Sequence, residues 1–151
     1  MRNILNLGAG NKIMAGAVNH DRVQHRPEID VAHDLNVLPW PFEDNSFDKV
    51  AALAVFEHLD IDLVHSLDEC WRILRPGGQL VLKLPMWNSP ISYDDPTHRW
   101  RFTPRALDQF CPETERGRRY SFYTERHWRF IKKARLNDAK SSIWWTLEVI
   151  K

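Results

Sequence analysis

The run Ile4-Leu5-Asn6-Leu7 opens straight into Gly8-Ala9-Gly10, and this junction limits the fold more than any other part of the chain. A short apolar run of this kind is how a strand covered on both faces reads, and parallel sheets are built from such strands. Two glycines one residue apart let the backbone turn sharply and expose its N–H groups to a ligand, with no side chain in the way. A Gly-x-Gly alone serves a tight turn equally well. The residues that follow separate the two readings.

The same layout repeats along the chain. Residues 17–20 form a second candidate strand ending at Asp21, residues 30–33 a third ending at Asp34, and residues 47–55 a long fourth. Residues 61–74 place Ile61, Val64, Leu67, Trp71 and Leu74 at three-to-four spacing, one face of an amphipathic helix. Asp60 and Asp62 stand at its start, where carboxylates cap free N–H groups and suit the helix dipole. Arg75-Pro76-Gly77-Gly78 ends that helix, and residues 79–84 read as a fifth strand. Thr103-Pro104 predicts a short helix through Phe110. Residues 85–101 and 111–119 read as long loops, the second carrying the local basic patch at Arg116, Arg118 and Arg119. Residues 126–136 and 143–150 are β-prone runs joined by a polar loop, which predicts a terminal hairpin. Trp128, Trp144 and Trp145 then fall among its sheet and core residues, and Trp40-Pro41-Phe42 reads as loop packing.

Strands that alternate with helices or short crossovers predict an open α/β sheet. Ligands of such sheets bind beyond the carboxyl ends of the strands, near the point where strand order reverses. The Gly8–Gly10 loop, Asp21, Asp34 and the Phe56-Glu57-His58 segment all lie just past a predicted strand end. Only about ten residues separate Gly10 from Asp21, whereas a crossover helix with its loops needs a dozen or more. A shortened or absent first helix is therefore expected.

Composition removes several classes. The chain has 151 residues, 43% of them hydrophobic, enough for one domain over residues 1–151. Lys plus Arg number 21 against 20 for Asp plus Glu, which leaves no global basic field for nucleic acid. Cys70 and Cys111 form no metal-spaced or disulfide-dense pattern. Residues 1–3 lead directly into the first run without a signal-peptide pattern, and no apolar run approaches the ~20 residues of a membrane helix. The expectation is a cytoplasmic protein without membrane association.

From Ile4 to Phe110 the chain resembles the class I S-adenosylmethionine-dependent methyltransferases, specifically small members of the type 11 methyltransferase-domain kind. Leu5-Asn6-Leu7-Gly8-Ala9-Gly10-Asn11 is similar to their glycine-rich first motif. Asp34-Leu35-Asn36 and then Leu38-Pro39-Trp40-Pro41-Phe42-Glu43-Asp44-Asn45-Ser46-Phe47-Asp48 resemble the family's acidic–Leu and following segment. Phe56-Glu57-His58-Leu59, and Glu69-Cys70-Trp71-Arg72-Ile73-Leu74-Arg75-Pro76-Gly77-Gly78, match the segments after the fourth strand and before the fifth. The resemblance implies a doubly wound, mostly parallel seven-stranded Rossmann-like sheet with a C-terminal antiparallel hairpin. It also implies S-adenosylmethionine as cofactor. Gly8, Ala9 and Gly10 would admit the methionine part of the donor. Asn6 stands where the family usually has an acidic residue near the donor's ammonium group. Asp21 would take the ribose hydroxyls. Asp34 would accept from the adenine amino group, with the Leu35 N–H donating to the ring.

The segment Tyr93-Asp94-Asp95-Pro96-Thr97-His98-Arg99-Trp100 follows the fifth strand, where it should overhang the methyl group. His98 with Asp95 forms a base with an orienting carboxylate, or else Asp95-Pro96-Thr97-His98 is a hydrogen-bonded turn that braces the loop. Arg99 or Arg101 could hold an anionic group of the acceptor. Asp94, Asp95 and His98 are the set considered for a divalent metal, and no metal is expected. The acceptor implied is a small molecule or sugar-like group, with oxygen favoured as the accepting atom. Two other readings stay open. One is a non-catalytic module that binds the donor. The other is a nucleotide-dependent oxidoreductase or epimerase, against which Ile13 stands in place of a third glycine and no Tyr-x-x-x-Lys pair is present.

Overall fold

The computed structural model describes residues 2–151; Met1, the first residue of the predicted domain, lies outside the described residues. The strands are β1 (Ile4–Leu7), β2 (Val18–Asp21), β3 (Val31–Ala32), β4 (Phe47–Leu53), β5 (Leu74–Pro85), β6 (His127–Leu136) and β7 (Ser142–Ile150). They form one seven-stranded sheet in the order β3-β2-β1-β4-β5-β7-β6. β1 to β5 run parallel, and β7 pairs antiparallel with both β5 and β6. This is the expected mixed sheet with a terminal hairpin.

Its crossovers carry less helix than a doubly wound sheet usually does. Among the described residues no helix joins β1 to β2, β2 to β3 or β3 to β4. Helix α1 (Leu63–Ile73) is the longest, with eleven residues. Asp62 caps it by accepting from the His65 N–H at 3.0 Å, so the helix starts at Leu63 rather than Ile61. Loop side chains replace the missing helices in the core. Trp40, from the segment between β3 and β4, is buried with Phe102, Leu107 and Phe110, from the segment after β5. They share one cluster with Leu5, Leu7, Val50, Leu80 and Leu82 of the sheet and with Leu67, Cys70 and Ile73 of α1.

Arg72 fastens that loop to α1. Its guanidinium donates to both Glu69 oxygens, to Asp44, and to the carbonyls of Trp40 and Phe42. Glu69 in turn accepts from the Trp40 N–H at 2.7 Å. Burial would push the Glu69 carboxyl up, but Arg72 and this N–H outweigh it and hold the group below its ordinary value.

Three predicted segments differ. β5 begins at Leu74, straight after the helix, and Arg75 to Gly78 loop out between the pairs Phe47↔Leu74 and Lys49↔Gln79. Gly77 supplies the positive φ of 75° that this detour requires. The helix expected from Thr103 to Phe110 is a series of turns closing in a single 3₁₀ turn, Asp108–Phe110. Pro112 disfavours helical backbone at Cys111, which is extended, so no longer helix can propagate there. The expected loops hold two short helices, α2 (Ile91–Asp94) and α3 (Glu115–Arg119). α3 has a legible cap, because the Thr114 side chain accepts from the Gly117 N–H. The basic patch ends this helix, with the Arg116 and Arg119 guanidinium groups 5.2 and 5.5 Å from the centre of the Tyr120 ring.

Candidate functional site

The parallel strands deliver their carboxyl ends to one edge of the sheet, and strand order reverses between β1 and β4. A groove of about 290 Å³ lies there, with Gly8, Gly10, Asp21, Asp34, Leu35 and Ala54 in its wall. Asn6 and Ala9 instead line an adjoining hollow, which shares Gly8 with the groove and includes Lys12, Ile13 and Met14. The Asn6 amide donates to the Lys12 carbonyl and to Asn19 Oδ1, both at 2.9 Å, so it braces the loop from beneath.

The glycine loop behaves differently from the sequence expectation. β2 takes all three of its N–H groups. The Gly8 N–H donates to His20 Nδ1 at 3.3 Å, Ala9 to the His20 carbonyl at 2.8 Å, and Gly10 to Asp21 Oδ2 at 2.7 Å. The reason is the missing helix: without one, the loop folds back onto the end of β2. His20 Nε2 lies 2.9 Å from the His33 carbonyl, an acceptor only, so Nε2 carries the proton and Nδ1 is free to accept. Burial keeps the His20 pKa below its ordinary value and favours this neutral ring.

Gly8 has φ 60°, and a Cβ there would sit 2.7 Å from Val55 Cγ2; Gly10 has φ 53° and nothing within 4 Å of that position. Gly8→Ala is therefore expected to cost about 1–3 kcal/mol and to exceed the cost of Gly10→Ala, as thermal unfolding of the two variants will measure.

The groove's acidic residues retain free capacity. Each Asp21 oxygen accepts one backbone N–H, from Gly10 and from Arg22, both at 2.7 Å. A carboxylate offers about four lone-pair sites, so two hydroxyl donors can still be accommodated. Asp34 accepts from the Asn36 N–H at 3.0 Å, and its other oxygen lies 3.3 Å from the Arg22 guanidinium. The Leu35 N–H has no partner among the described residues, while its carbonyl accepts from Trp40 Nε1 at 2.9 Å. Paired acceptors at Asp21, an acceptor at Asp34 and a free donor at Leu35 fit an adenosine-bearing molecule.

A second cleft, of about 540 Å³, continues from this groove. Both are lined by Ala54 and His58, and the cleft adds Glu57, Lys83, Asp95, His98 and Ser142 to its wall. Ala54, at the junction, holds a left-handed backbone with φ 61°. Such strain in a non-glycine residue costs on the order of 1–3 kcal/mol and clusters at working sites. The β5–β7 register sets Ser142 opposite Pro85, which is how the hairpin reaches the cleft.

Glu57 is 1% exposed, and its Oε2 has no hydrogen-bond partner. Burial pushes its carboxyl up to about 7. The rings of His58 and His98 lie edge to face with centroids 4.6 Å apart. Asp95 Oδ2 stands 3.9 Å from His98 Nε2, beyond hydrogen-bond reach. Asp95 Oδ1 instead accepts from the Thr97 N–H at 2.8 Å and its hydroxyl at 2.6 Å. Thr97 Oγ1 in turn lies 2.8 Å from His58 Nδ1. The two predicted partners therefore meet at one wall of the cleft, with Asp95 connected to His58 rather than to His98. Arg99 reaches out to Asp60 at 3.0 Å, and Arg101 sits over the Tyr93 ring at 4.5 Å.

Residues 7–82 match the family model described as a methyltransferase domain. The chain belongs to the class I S-adenosylmethionine-dependent methyltransferases. S-adenosylmethionine is the cofactor of this family. Over 68 residues the methyltransferase chain is 38% identical to a probable S-adenosylmethionine-dependent methyltransferase of Mycolicibacterium smegmatis, covering 45% of this chain and 25% of that protein. Over 99 residues it is 33% identical to an uncharacterized 37.1 kDa protein from a Streptomyces fradiae transposon, covering 64% and 28%. The chain thus matches only about a quarter of the length of these curated relatives. Solved structures share the fold. A methyltransferase from Archaeoglobus fulgidus superposes with a TM-score of 0.63 at 15% identity, over 97% of this chain and 86% of that one. The 1,6-didemethyltoxoflavin N1-methyltransferase of Burkholderia thailandensis, with bound S-adenosylhomocysteine, gives 0.62 at 16% identity over 98% and 71%.

Several lining residues escape a sequence reading. His20 and His33 flank strand ends and had a local signal, one residue from Asp21 and Asp34. Lys83 and Ser142 had none, because they reach the cleft only through pairing of β5 with β4 and β7. Among the described residues no helix is long and apolar enough to cross a membrane.

Proposed function

We propose that this chain, acting as a single domain, transfers a methyl group to a hydroxyl of a small-molecule or sugar-like acceptor held in the cleft. The observation that carries this reading is the meeting of groove and cleft at Ala54 and His58. A donor whose adenosine fills the groove has its reactive end directed at that junction. Bound there, S-adenosylmethionine supplies an electrophilic methyl carbon on a sulfonium that departs as a neutral thioether.

The protein's part is positioning, exclusion of water and removal of a proton. Asp21 receives the ribose hydroxyls, Asp34 the adenine amino group, and the Leu35 N–H donates to the ring. Gly8 and Gly10 keep the loop low enough for the donor to pass. Asn6 and Ala9 act behind the loop, fixing its shape from the hollow they line. In the cleft, Glu57 and His98 face the acceptor's hydroxyl, whose proton leaves through this polar cluster. Asp95 serves one step further back, through Thr97 and His58. A net charge of +1 spread over the chain favours small acceptors over nucleic acid.

Asp21 tests the groove. Asp21→Ala is expected to weaken binding of S-adenosylhomocysteine by about 1.5–3 kcal/mol, roughly ten- to 150-fold. Calorimetry on the two proteins measures it, and an unchanged affinity removes Asp21 from the site.

A further inference from the structure

We propose that Glu57, His58 and His98 form a divalent-cation site on the wall of the cleft, and that the cation holds neighbouring oxygens of a sugar-like acceptor. The proposal rests on the methyltransferase reading and names what organises its acceptor. One ligand atom from each of the three residues lies within 4.8 Å of those of the other two. Neutral imidazoles with one carboxylate suit zinc, iron(II) and related first-row ions, and three protein ligands leave positions open for substrate.

The Glu57 carboxyl is the first support: its Oε1 lies 4.0 Å from His58 Nε2, and its Oε2 is buried without a partner. A carboxyl 1% exposed with a free Oε2 is costly unless something meets it. The orientation of the two rings is the second. The Thr97 hydroxyl donates to Asp95, so Thr97 Oγ1 can only accept from His58, and Nδ1 of that ring carries the proton. His98 Nδ1 faces the Ser92 carbonyl at 3.3 Å, which likewise can only accept. Both rings are thereby left with Nε2 as the free lone pair. A second group that fixes tautomer and ring orientation in this way is a regular feature of metal-ligating histidines.

The trio is also tied together by backbone. The Arg99 N–H donates to the Glu57 carbonyl at 2.6 Å, and Trp100 Nε1 donates to the Leu59 carbonyl at 2.7 Å. These bonds lock the segment that carries His98 onto the segment that carries Glu57 and His58. Ligand atoms around a tetrahedral ion sit about 3.3–3.6 Å apart, so an ion draws the three inward by roughly 1 Å. With the ion in place Glu57, His58 and His98 act on the acceptor's hydroxyl through the ion, which makes loss of its proton easier than from a free hydroxyl.

The test is metal titration of chelator-treated protein. Zn²⁺ is followed by calorimetry and Co²⁺ by visible absorption, with S-adenosylhomocysteine affinity measured alongside. One ion per chain is expected. Glu57→Gln and His98→Ala should each weaken it by more than about 100-fold, and Thr97→Val by roughly 10–100-fold, the scale of an outer-shell loss. Donor affinity should stay at the wild-type value in all three. Failure of the wild-type protein to bind either ion, or equal binding by Glu57→Gln, overturns the cation site and leaves the methyltransferase reading standing. Loss of donor binding by the wild-type protein defeats that reading instead.

Discussion

His98→Ala is expected to lower methyl transfer by about 10²–10⁴-fold while leaving the affinity for S-adenosylhomocysteine unchanged. The size follows from what the residue faces. A hydroxyl is a poor nucleophile until its proton is shed, and His98 stands on the cleft wall beside Glu57 and His58, with its side chain only 7% exposed. His98 lies outside the donor groove, so removing it should leave donor binding untouched. The measurement is labelled methyl transfer to a panel of sugars and other small hydroxylated compounds, with donor binding recorded on the same samples. Loss of donor affinity in place of turnover would instead make His98 a brace for the loop. Asp95→Ala should have a smaller effect, because Asp95 acts through Thr97 and His58.

Trp40→Ala carries the largest expected loss of stability. Trp40 is 2% exposed, lies with its ring 6.4 Å from that of Phe56, and hydrogen-bonds through both nitrogens. Truncating a buried tryptophan costs about 3–5 kcal/mol, a large share of the roughly 5–15 kcal/mol that holds a domain folded. For a chain of this size that lowers the melting temperature by roughly 6–20 °C. The same change frees the Leu35 carbonyl, so donor affinity should fall along with stability. Trp40→Phe keeps most of the packing but leaves the Leu35 carbonyl unpaired, at a cost of about 1–3 kcal/mol. Calorimetric unfolding of both variants checks the contrast, and equal losses would mean that the indole hydrogen bond rather than the ring's volume holds this loop.

The parts of the fold legible in the sequence are those set by local pattern. β1 was legible because an apolar run stops at a glycine, and Asp21 and Asp34 because each closes a short strand at the edge where ligands bind. The cap of α1 was legible as Asp62. The fate of the loop N–H groups was not. Whether Gly8 and Gly10 serve a ligand or β2 depends on a helix that the chain omits and on the tautomer of His20. The Glu57, His58 and His98 cluster was hidden for a related reason. Glu57 and His98 lie far apart in sequence, and they meet through the Arg99 N–H and the Thr97 hydroxyl, which carry no periodic signal. The detour from Arg75 to Gly78 read as a turn and is one, but strand pairing resumes on both sides of it.

The groove between Gly8, Asp21 and Asp34 is expected to hold S-adenosylmethionine. Calorimetric titration of the intact chain with S-adenosylmethionine tests it most directly. One-to-one binding is expected, weakened by Asp21→Ala. A folded protein that takes up no donor at millimolar concentration would contradict it.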